Sequence, residues 1–157
     1  MLLKPDPANR CFGCGGANER GMLLAFEQDD AARRIHGNFR LDAEYQGGTG
    51  FIHGGIIATV LDEVMGKVAR FRGVHAVTAE LTVEYLRPVP VDADLFVEGH
   101  EVDSSGRNLF MVGEICDVSG KVLAHGKGRF VIVDPKRHVK RVAPNDAPEE
   151  LAGKPLE

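Results

Sequence analysis

The stretch HGGIIATVLDEVMGKV, residues 53–68, decides the fold of this chain because it is the only convincing helix in the sequence. Its apolar residues cover most of the helix circumference, as expected for a helix that a sheet buries on most sides. The polar residues share one narrow stripe, on which Glu63 and Lys67 have the favourable i,i+4 spacing for an ion pair. We therefore predict a core helix from about Gly54 to Arg70, whose apolar face consists of Ile56, Ile57, Val60, Leu61, Val64, Met65 and Val68.

Asp62 does not share this polar stripe but projects to its edge. Its nearest neighbours on the helix are the small residues Ala58, Gly66 and Ala69. Aspartate has a poor helix propensity in mid-helix, and burying its charge is costly unless a partner compensates it. A functional carboxylate is therefore favoured over an acid that merely reaches solvent, and the small neighbours leave room for a water molecule or an acyl chain.

The start of the helix is a second candidate site. Gly54 and Gly55 leave backbone N–H groups unshielded at the helix N-terminus, where the first donors lack internal partners and the dipole favours negative charge. A carbonyl oxygen or an oxyanion would bind there. His53 either orients the same ligand or simply caps the helix, and the sequence leaves both alternatives open.

The sequence around the helix is typical of strands. After the helix, Val77 and alternate residues up to Tyr85 form an apolar side, which places Thr78 on the polar side. Strands are predicted at about residues 22–27, 33–40, 77–85, 94–102, 107–117 and 121–133, the last four forming a long antiparallel meander. We therefore predict an α+β domain over 20–133, in which an antiparallel sheet wraps the helix, between an irregular arm (1–19) and a charged, proline-containing tail (134–157).

Composition excludes several classes of protein. The 157 residues fit one domain, and 19 Lys plus Arg against 23 Asp plus Glu give a net charge of −4. This balance argues against nonspecific nucleic-acid binding. No apolar stretch is long enough for a spanning helix or a signal peptide, so no membrane association and a cytoplasmic location are expected.

The helix sequence from His53 to Gly66, with an acid nine positions after the histidine, resembles the motif of hotdog-fold acyl-CoA thioesterases of the PaaI-like group. The segment VTAELTVEYLRPVP, residues 77–90, is similar to the strand that follows the helix in that family. The resemblance covers about residues 20–133 and implies the hotdog fold, a long antiparallel β-sheet wrapped around one central α-helix. It also implies homodimers with a continuous sheet, which often pair into homotetramers, and thioester hydrolysis without metal or cofactor.

The resemblance also implies catalytic roles, matched position by position. Asp62 corresponds to the catalytic carboxylate, Gly54 to the amide that polarises the thioester carbonyl, and His53 to the residue that orients it. Thr78 lies where some members place a Thr or Ser that holds the attacking water, although a solvent-facing threonine is the alternative.

Substrate-binding candidates follow from the same comparison. Several PaaI-like members have an Asn about six residues before the histidine, where this chain has Gly47, so the preceding Gln46 is the candidate substitute. Gly55 belongs to the same helix end as Gly54. Because CoA carries phosphates, basic groups are expected at the mouth of the pocket, and placement along the chain suggests Arg87, Lys127 and Arg129. Ordinary exposed strand charges are the alternative for these three.

The spacing of His53 and Asp62 has a consequence for assembly. Nine helical residues span roughly 13 Å along the axis, more than one thioester carbon can bridge. If both residues are catalytic, the site must combine the helix N-terminus of one subunit with Asp62 of another. Asp62 would then activate a water as general base or attack the thioester itself, and the sequence does not choose between these routes.

Cys11 and Cys14 form a single Cys-x-x-Cys pair. Structural zinc needs four ligands, and the sequence offers no second pair or histidines at ligand spacing, so no metal site is predicted. A redox role is also disfavoured because the pair does not open a helix after a strand. The arm is therefore interpreted as a cap or packing segment.

Two other functions compete with thioester hydrolysis. One is a noncatalytic hotdog protein that binds acyl-CoA or a related ligand, and the other is dehydration of a thioester. Asp62 at the expected spacing favours the hydrolase.

Overall fold

The computed structural model describes residues 1–134, and within that range it contains one α-helix and one seven-stranded antiparallel sheet. The helix α1 spans Gly54–Val68, and 3-10 helices lie at Ala43–Tyr45 and Ala69–Arg72. This is the α+β architecture that the sequence predicts. The strands are β1 (Leu2–Leu3), β2 (Phe26–Asp29), β3 (Arg34–Phe39), β4 (His75–Tyr85), β5 (Leu95–Ser105), β6 (Asn108–Asp117) and β7 (Val122–Val133).

The strand order in the sheet is β1-β2-β3-β5-β6-β7-β4. The predicted four-strand meander is therefore wrong in one respect, because β4 pairs with β7 rather than with β5. Of these four strands, only β5, β6 and β7 form a meander. As a result, β4 is an edge strand that has one hydrogen-bonded neighbour among the described strands. The predicted tail lies outside the described residues apart from Asp134.

Three glycines let the helix lie close to the sheet. Gly99 of β5 pairs with Gly113 of β6, which pairs in turn with Gly126 of β7, so that the three form a row across the sheet. A Cβ atom at any of them would lie 3.2–3.3 Å from the side chain of Val64 or Met65 on α1. Because the row has no side chains, the helix packs directly on the strands, and both Val64 and Met65 are fully buried.

The N-terminal region is more ordered than the sequence suggests. The predicted irregular arm contains β1, which pairs with β2. The strand predicted at 22–27 begins only at Phe26 and runs through Gln28 to Asp29, residues that the sequence indicates as a turn. The backbone of residues 22–24 instead bonds to the arm, with Met22 N–H donating to Phe12 and Leu24 N–H to Gly13. The arm is thus bound to the sheet and to the segment before β2.

The alternation along β4 reverses partway. The pairing of β4 with β7 shifts register between Thr78 and Glu80, which marks a β-bulge. Beyond the bulge, Leu81 and Val83 pack against the core, whereas before it the core-facing residue is Ala76 and Val77 is 52% exposed. The prediction that Thr78 belongs to the solvent side of β4 is therefore wrong, because the extra residue turns Thr78 toward the helix.

Candidate active site

Asp62 and Thr78 form a hydrogen-bonded pair between α1 and β4. The Thr78 hydroxyl donates to Asp62 Oδ1 over 2.6 Å. The carboxyl is half-buried, whereas Thr78 is exposed, so the pair lies at the surface of the chain beside its free sheet edge. Burial raises the pKa of Asp62 above its ordinary value, the bond from Thr78 acts in the opposite direction, and the nearby Glu63 charge raises it further. The arrangement holds a carboxylate of increased basicity where a ligand can reach it.

The helix N-terminus presents one free amide. His53 is the N-cap of α1, and its Nδ1 accepts the Gly55 N–H over 2.9 Å. The capping alternative for His53 is therefore observed, and it occupies the Gly55 amide. The Gly54 N–H has no acceptor within residues 1–134. Because Nδ1 of His53 accepts, the neutral ring carries its proton on Nε2 and can donate to a ligand beside the same helix end.

Tyr85 contacts the N-terminus of α1. The sequence does not identify it as a site residue, because it only continues the apolar alternation of β4. Its hydroxyl donates to the Gly54 carbonyl over 2.9 Å. The ring is 54% exposed and lies 3.5 Å from the position of a Cβ atom on Gly54. Tyr85 thus fixes the first turn of α1 against the end of β4.

Gln46 lies in the same cleft as His53, at the helix N-terminus. The Gln46 Oε1 accepts the Gly50 N–H over 3.2 Å, so this oxygen closes the glycine-rich loop. The cleft has a volume of about 530 Å³, and its walls include two residues of the N-terminal arm, Phe12 and Glu19. The sequence does not indicate these two residues, because the contact depends on how the arm folds back.

The predicted phosphate-binding residues do not gather around Asp62. Arg87 donates to the Val122 carbonyl over 2.7 Å and so holds the end of β4 against β7. Lys127 and Arg129 alternate with buried residues of β7 and therefore lie on the far face of the sheet, opposite α1. There Arg129 bonds to Glu80 over 3.1 Å. Within one chain, the sheet separates Lys127 and Arg129 from Asp62.

The N-terminal arm covers the polar stripe of α1. The predicted ion pair between Glu63 and Lys67 is present, with 3.7 Å between Oε2 and Nζ. In addition, the Cys11 thiol donates to Glu63 Oε1 over 3.1 Å, and Lys67 Nζ donates to Cys14 Sγ over 3.1 Å. Within residues 1–134, Cys11, Cys14 and Glu63 form the one cluster of three His, Cys or acidic side chains with the spacing for a metal ion.

None of the helices in the part of the chain that the structure describes has the length and apolar character needed to cross a membrane.

Residues 49–124 match the model of the thioesterase superfamily. The chain is 31% identical to acyl-coenzyme A thioesterase THEM4 of Mus musculus over 118 residues, which cover 74% of this chain and 51% of the mouse protein. The crystal structure of a thioesterase superfamily protein superposes with a TM-score of 0.73 at 30% identity, over 78% of this chain and 60% of that one. The PaaI protein of E. coli superposes with a TM-score of 0.59 at 19% identity, over 62% and 75% of the two chains. The chain thus spans about half the length of the mouse relative.

Three observations indicate the same fold: the helix that begins with two glycines, the order of the strands in the sheet, and the similarities to known proteins. Over residues 49–124 the chain is similar to the thioesterase superfamily, and its fold is the hotdog fold of the superposed thioesterase and PaaI structures.

Proposed function

We propose that this protein hydrolyses acyl-CoA thioesters to the free acid and CoA. The observation that carries the proposal is the Asp62 carboxylate, half-buried beside the sheet edge and held by Thr78 at 2.6 Å. A free amide at the N-terminus of the same helix supplies a donor for a developing negative charge. The name of the mouse relative, an acyl-coenzyme A thioesterase, supports CoA esters as the substrate class.

The site is shared between two subunits of a homodimer. Gly54 and Asp62 are eight residues apart on α1, which is roughly 12 Å at 1.5 Å per residue. One thioester group cannot contact both in one chain. The free edge of β4 supports pairing between two chains, because it is eleven residues long and exposes Val77, Tyr85 and the following Leu86 by about half. Pairing two β4 strands would bring Asp62 of one chain toward the helix end of the other.

The two chains supply different groups to the reaction, Asp62 from one chain and the helix N-terminus from the other. In the general-base route, Asp62 takes a proton from water, the hydroxide adds to the thioester carbon, and the C–S bond breaks as the proton passes to the CoA sulfur. In the nucleophilic route, the Asp62 carboxylate adds to the thioester carbon, the C–S bond breaks and the CoA thiolate leaves and takes up a proton from solvent. Water then hydrolyses the mixed anhydride, which releases the free acid and restores the Asp62 carboxylate. In both routes the Gly54 N–H and the helix dipole stabilise the oxyanion, and His53 Nε2–H donates to the same oxygen. Thr78 keeps the carboxylate in place and accepts a hydrogen bond from the attacking water.

A cytoplasmic location fits the cysteines. Cys11, Cys14 and Cys116 are all free thiols. Thiols persist in reducing compartments, where CoA esters are also turned over, so we assign the protein to the cytoplasm.

A panel of aryl- and aliphatic-CoA esters with thiol detection tests the function. We expect free CoA to be released in a stoichiometric ratio to the acid. Binding without release would instead identify a noncatalytic acyl-CoA-binding protein, and loss of water without release of CoA would identify a dehydratase.

Mixing two inactive variants tests the shared site. Asp62→Asn removes the carboxylate and Gly54→Pro removes the amide donor, so each variant alone should be inactive. In a random mixture half the dimers are mixed, and each mixed dimer has one intact site of two, so activity should return to about a quarter of wild type. The two proteins are unfolded together, refolded and assayed. The same treatment of each variant alone is the control, and no recovery in the mixture would contradict a shared site.

A further inference from the structure

Two thiols and a carboxylate meet where the N-terminal arm crosses α1. Cys11 Sγ, Cys14 Sγ and one oxygen of Glu63 all lie within 4.8 Å of one another. The three side chains are partly buried. Glu63 belongs to the polar stripe of α1, and the two cysteines of the arm lie against this stripe rather than beside Asp62 and Thr78. Thioester hydrolysis as described above uses none of them.

The turn that carries the thiols is built tightly around the carboxylate. Gly15 N–H donates to the Cys11 carbonyl over 3.0 Å, and Cys11 N–H donates to Asn9 Oδ1 over 2.8 Å, so both thiols project from a closed turn. A Cβ atom on Gly13 would lie 2.4 Å from Glu63 Cγ, which is far inside van der Waals contact. Only glycine at this position lets the carboxylate enter the turn between the two cysteines.

We propose that Cys11, Cys14 and Glu63 bind one Zn²⁺ ion per chain, with the fourth position filled by water or an added ligand. Donor atoms on a tetrahedral zinc lie roughly 3.5–3.8 Å apart, given Zn–S bonds of about 2.3 Å and Zn–O bonds of about 2.1 Å. The observed spacing of up to 4.8 Å needs only small rotamer shifts to reach this geometry.

The charges around the cluster balance when the ion is present. Two thiolates and one carboxylate carry three negative charges, which Zn²⁺ and the ammonium group of Lys67 neutralise. Lys67 already donates to Cys14 Sγ at 3.1 Å and pairs with Glu63 Oε2 at 3.7 Å, which leaves Glu63 Oε1 for the metal. Lys67 would thus contact the ligands rather than the ion, and its positive charge would stabilise the thiolate.

The two thiols favour a soft cation. Sulfur ligands suit Zn²⁺, whereas Mg²⁺ and Ca²⁺ prefer oxygen ligands. Because zinc binds cysteine as the thiolate, zinc binding is expected to release protons and to weaken as pH falls.

A bound ion would fix the arm against α1. Phe12 lies between the two cysteines in sequence and lines the cleft that contains His53. The ion would therefore set the position of one wall of that cleft without touching substrate.

Metal analysis of the full-length protein tests the proposal. After chelation and readdition of Zn²⁺, we expect one zinc per chain and a higher Tm than in the chelated protein. Co²⁺ should give intense sulfur-to-cobalt charge-transfer absorption. Zinc-free protein that takes up less than about 0.1 equivalent, or a Cys11–Cys14 disulfide that survives reductant, would overturn the proposal.

Variants locate the site. Cys14→Ser should weaken zinc binding at least about tenfold and lower the charge-transfer absorption per bound cobalt to about half, because only the Cys11 thiolate remains, whereas Glu63→Gln should keep the bands and weaken binding. Cys116→Ser is the matched control, because it removes the third free thiol, which lies on β6, and it should bind zinc like wild type. Equal zinc and cobalt binding by Cys14→Ser and wild type would contradict the assignment. The cobalt spectrum of the wild-type protein decides the question even if a variant fails to fold.

Discussion

Asp62→Asn should reduce the kcat of thioester hydrolysis by about 10²- to 10⁴-fold while the protein stays folded, because a positioned general base contributes that much. Asparagine has the same shape and can still accept the hydrogen bond from Thr78 that the carboxylate accepts at 2.6 Å. It cannot take a proton from water or attack the thioester carbon. Steady-state kinetics with a CoA ester and a circular dichroism spectrum measure the two effects.

The same substitution should raise stability at neutral pH. Burial raises the pKa of Asp62 in the folded chain above its value in the unfolded chain, so the folded state binds this proton more tightly. The free energy of unfolding therefore falls as pH rises from the unfolded pKa through the folded pKa. Above both values, the charged Asp62 carboxylate destabilises the folded state by the full amount. The Tm of the variant should exceed that of wild type at pH 7.5, and the difference should shrink as pH is lowered toward the folded pKa.

Glu84→Gln provides a matched control for the loss of one acid. Glu84 lies on β4, as Thr78 does, but on the far side of the sheet, where it is exposed and lies 3.6 Å from His125. This variant should keep wild-type kcat. A kcat in Asp62→Asn within about threefold of wild type would remove Asp62 from the mechanism.

The sequence predicts those parts of the fold that depend on a regular pattern. The apolar face of α1 and the period-two strands β4 to β7 follow from alternation and helical spacing, so both appear close to their predicted bounds. The order of the strands does not follow from such patterns. The sequence pattern does not show that β4 pairs with β7 at the edge of the sheet, and the row of glycines at 99, 113 and 126 becomes apparent only once the strands are in register.

The residues of the candidate site also divide into those that the sequence identifies and those that it does not. Asp62 and Gly54 can be identified from their place on one helix, because helical geometry is fixed by sequence spacing alone. Thr78 could not be placed on the correct face, because a single-residue bulge reverses the alternation before Glu80. The contact of Cys11 with Glu63 joins residues 52 positions apart, and no local pattern indicates it.

The free amide of Gly54 offers a test in which a single donor is removed. Gly54 is the first residue of α1, and its N–H has no partner within residues 1–134, so proline there breaks no internal hydrogen bond. The preceding His53 is extended, with φ −60° and ψ 138°, as a residue before proline must be. If this N–H stabilises the oxyanion, Gly54→Pro should lower kcat by about 10²- to 10³-fold with little change in KM or Tm.

Gly54→Ala is the control that distinguishes the loss of the amide donor in Gly54→Pro from the effect of added side-chain volume. Alanine keeps the N–H, and its Cβ would lie 3.5 Å from the Tyr85 ring, an ordinary contact distance. Alanine at this position should therefore keep kcat within about fivefold of wild type, because the donor that contacts the transition state is unchanged. Equal losses in the two variants would mean that the glycine is needed for space at the thioester carbonyl and that its amide is not the donor. A selective loss with proline identifies the helix N-terminus as the oxyanion site, because both variants leave Asp62, Thr78 and the His53 cap in place.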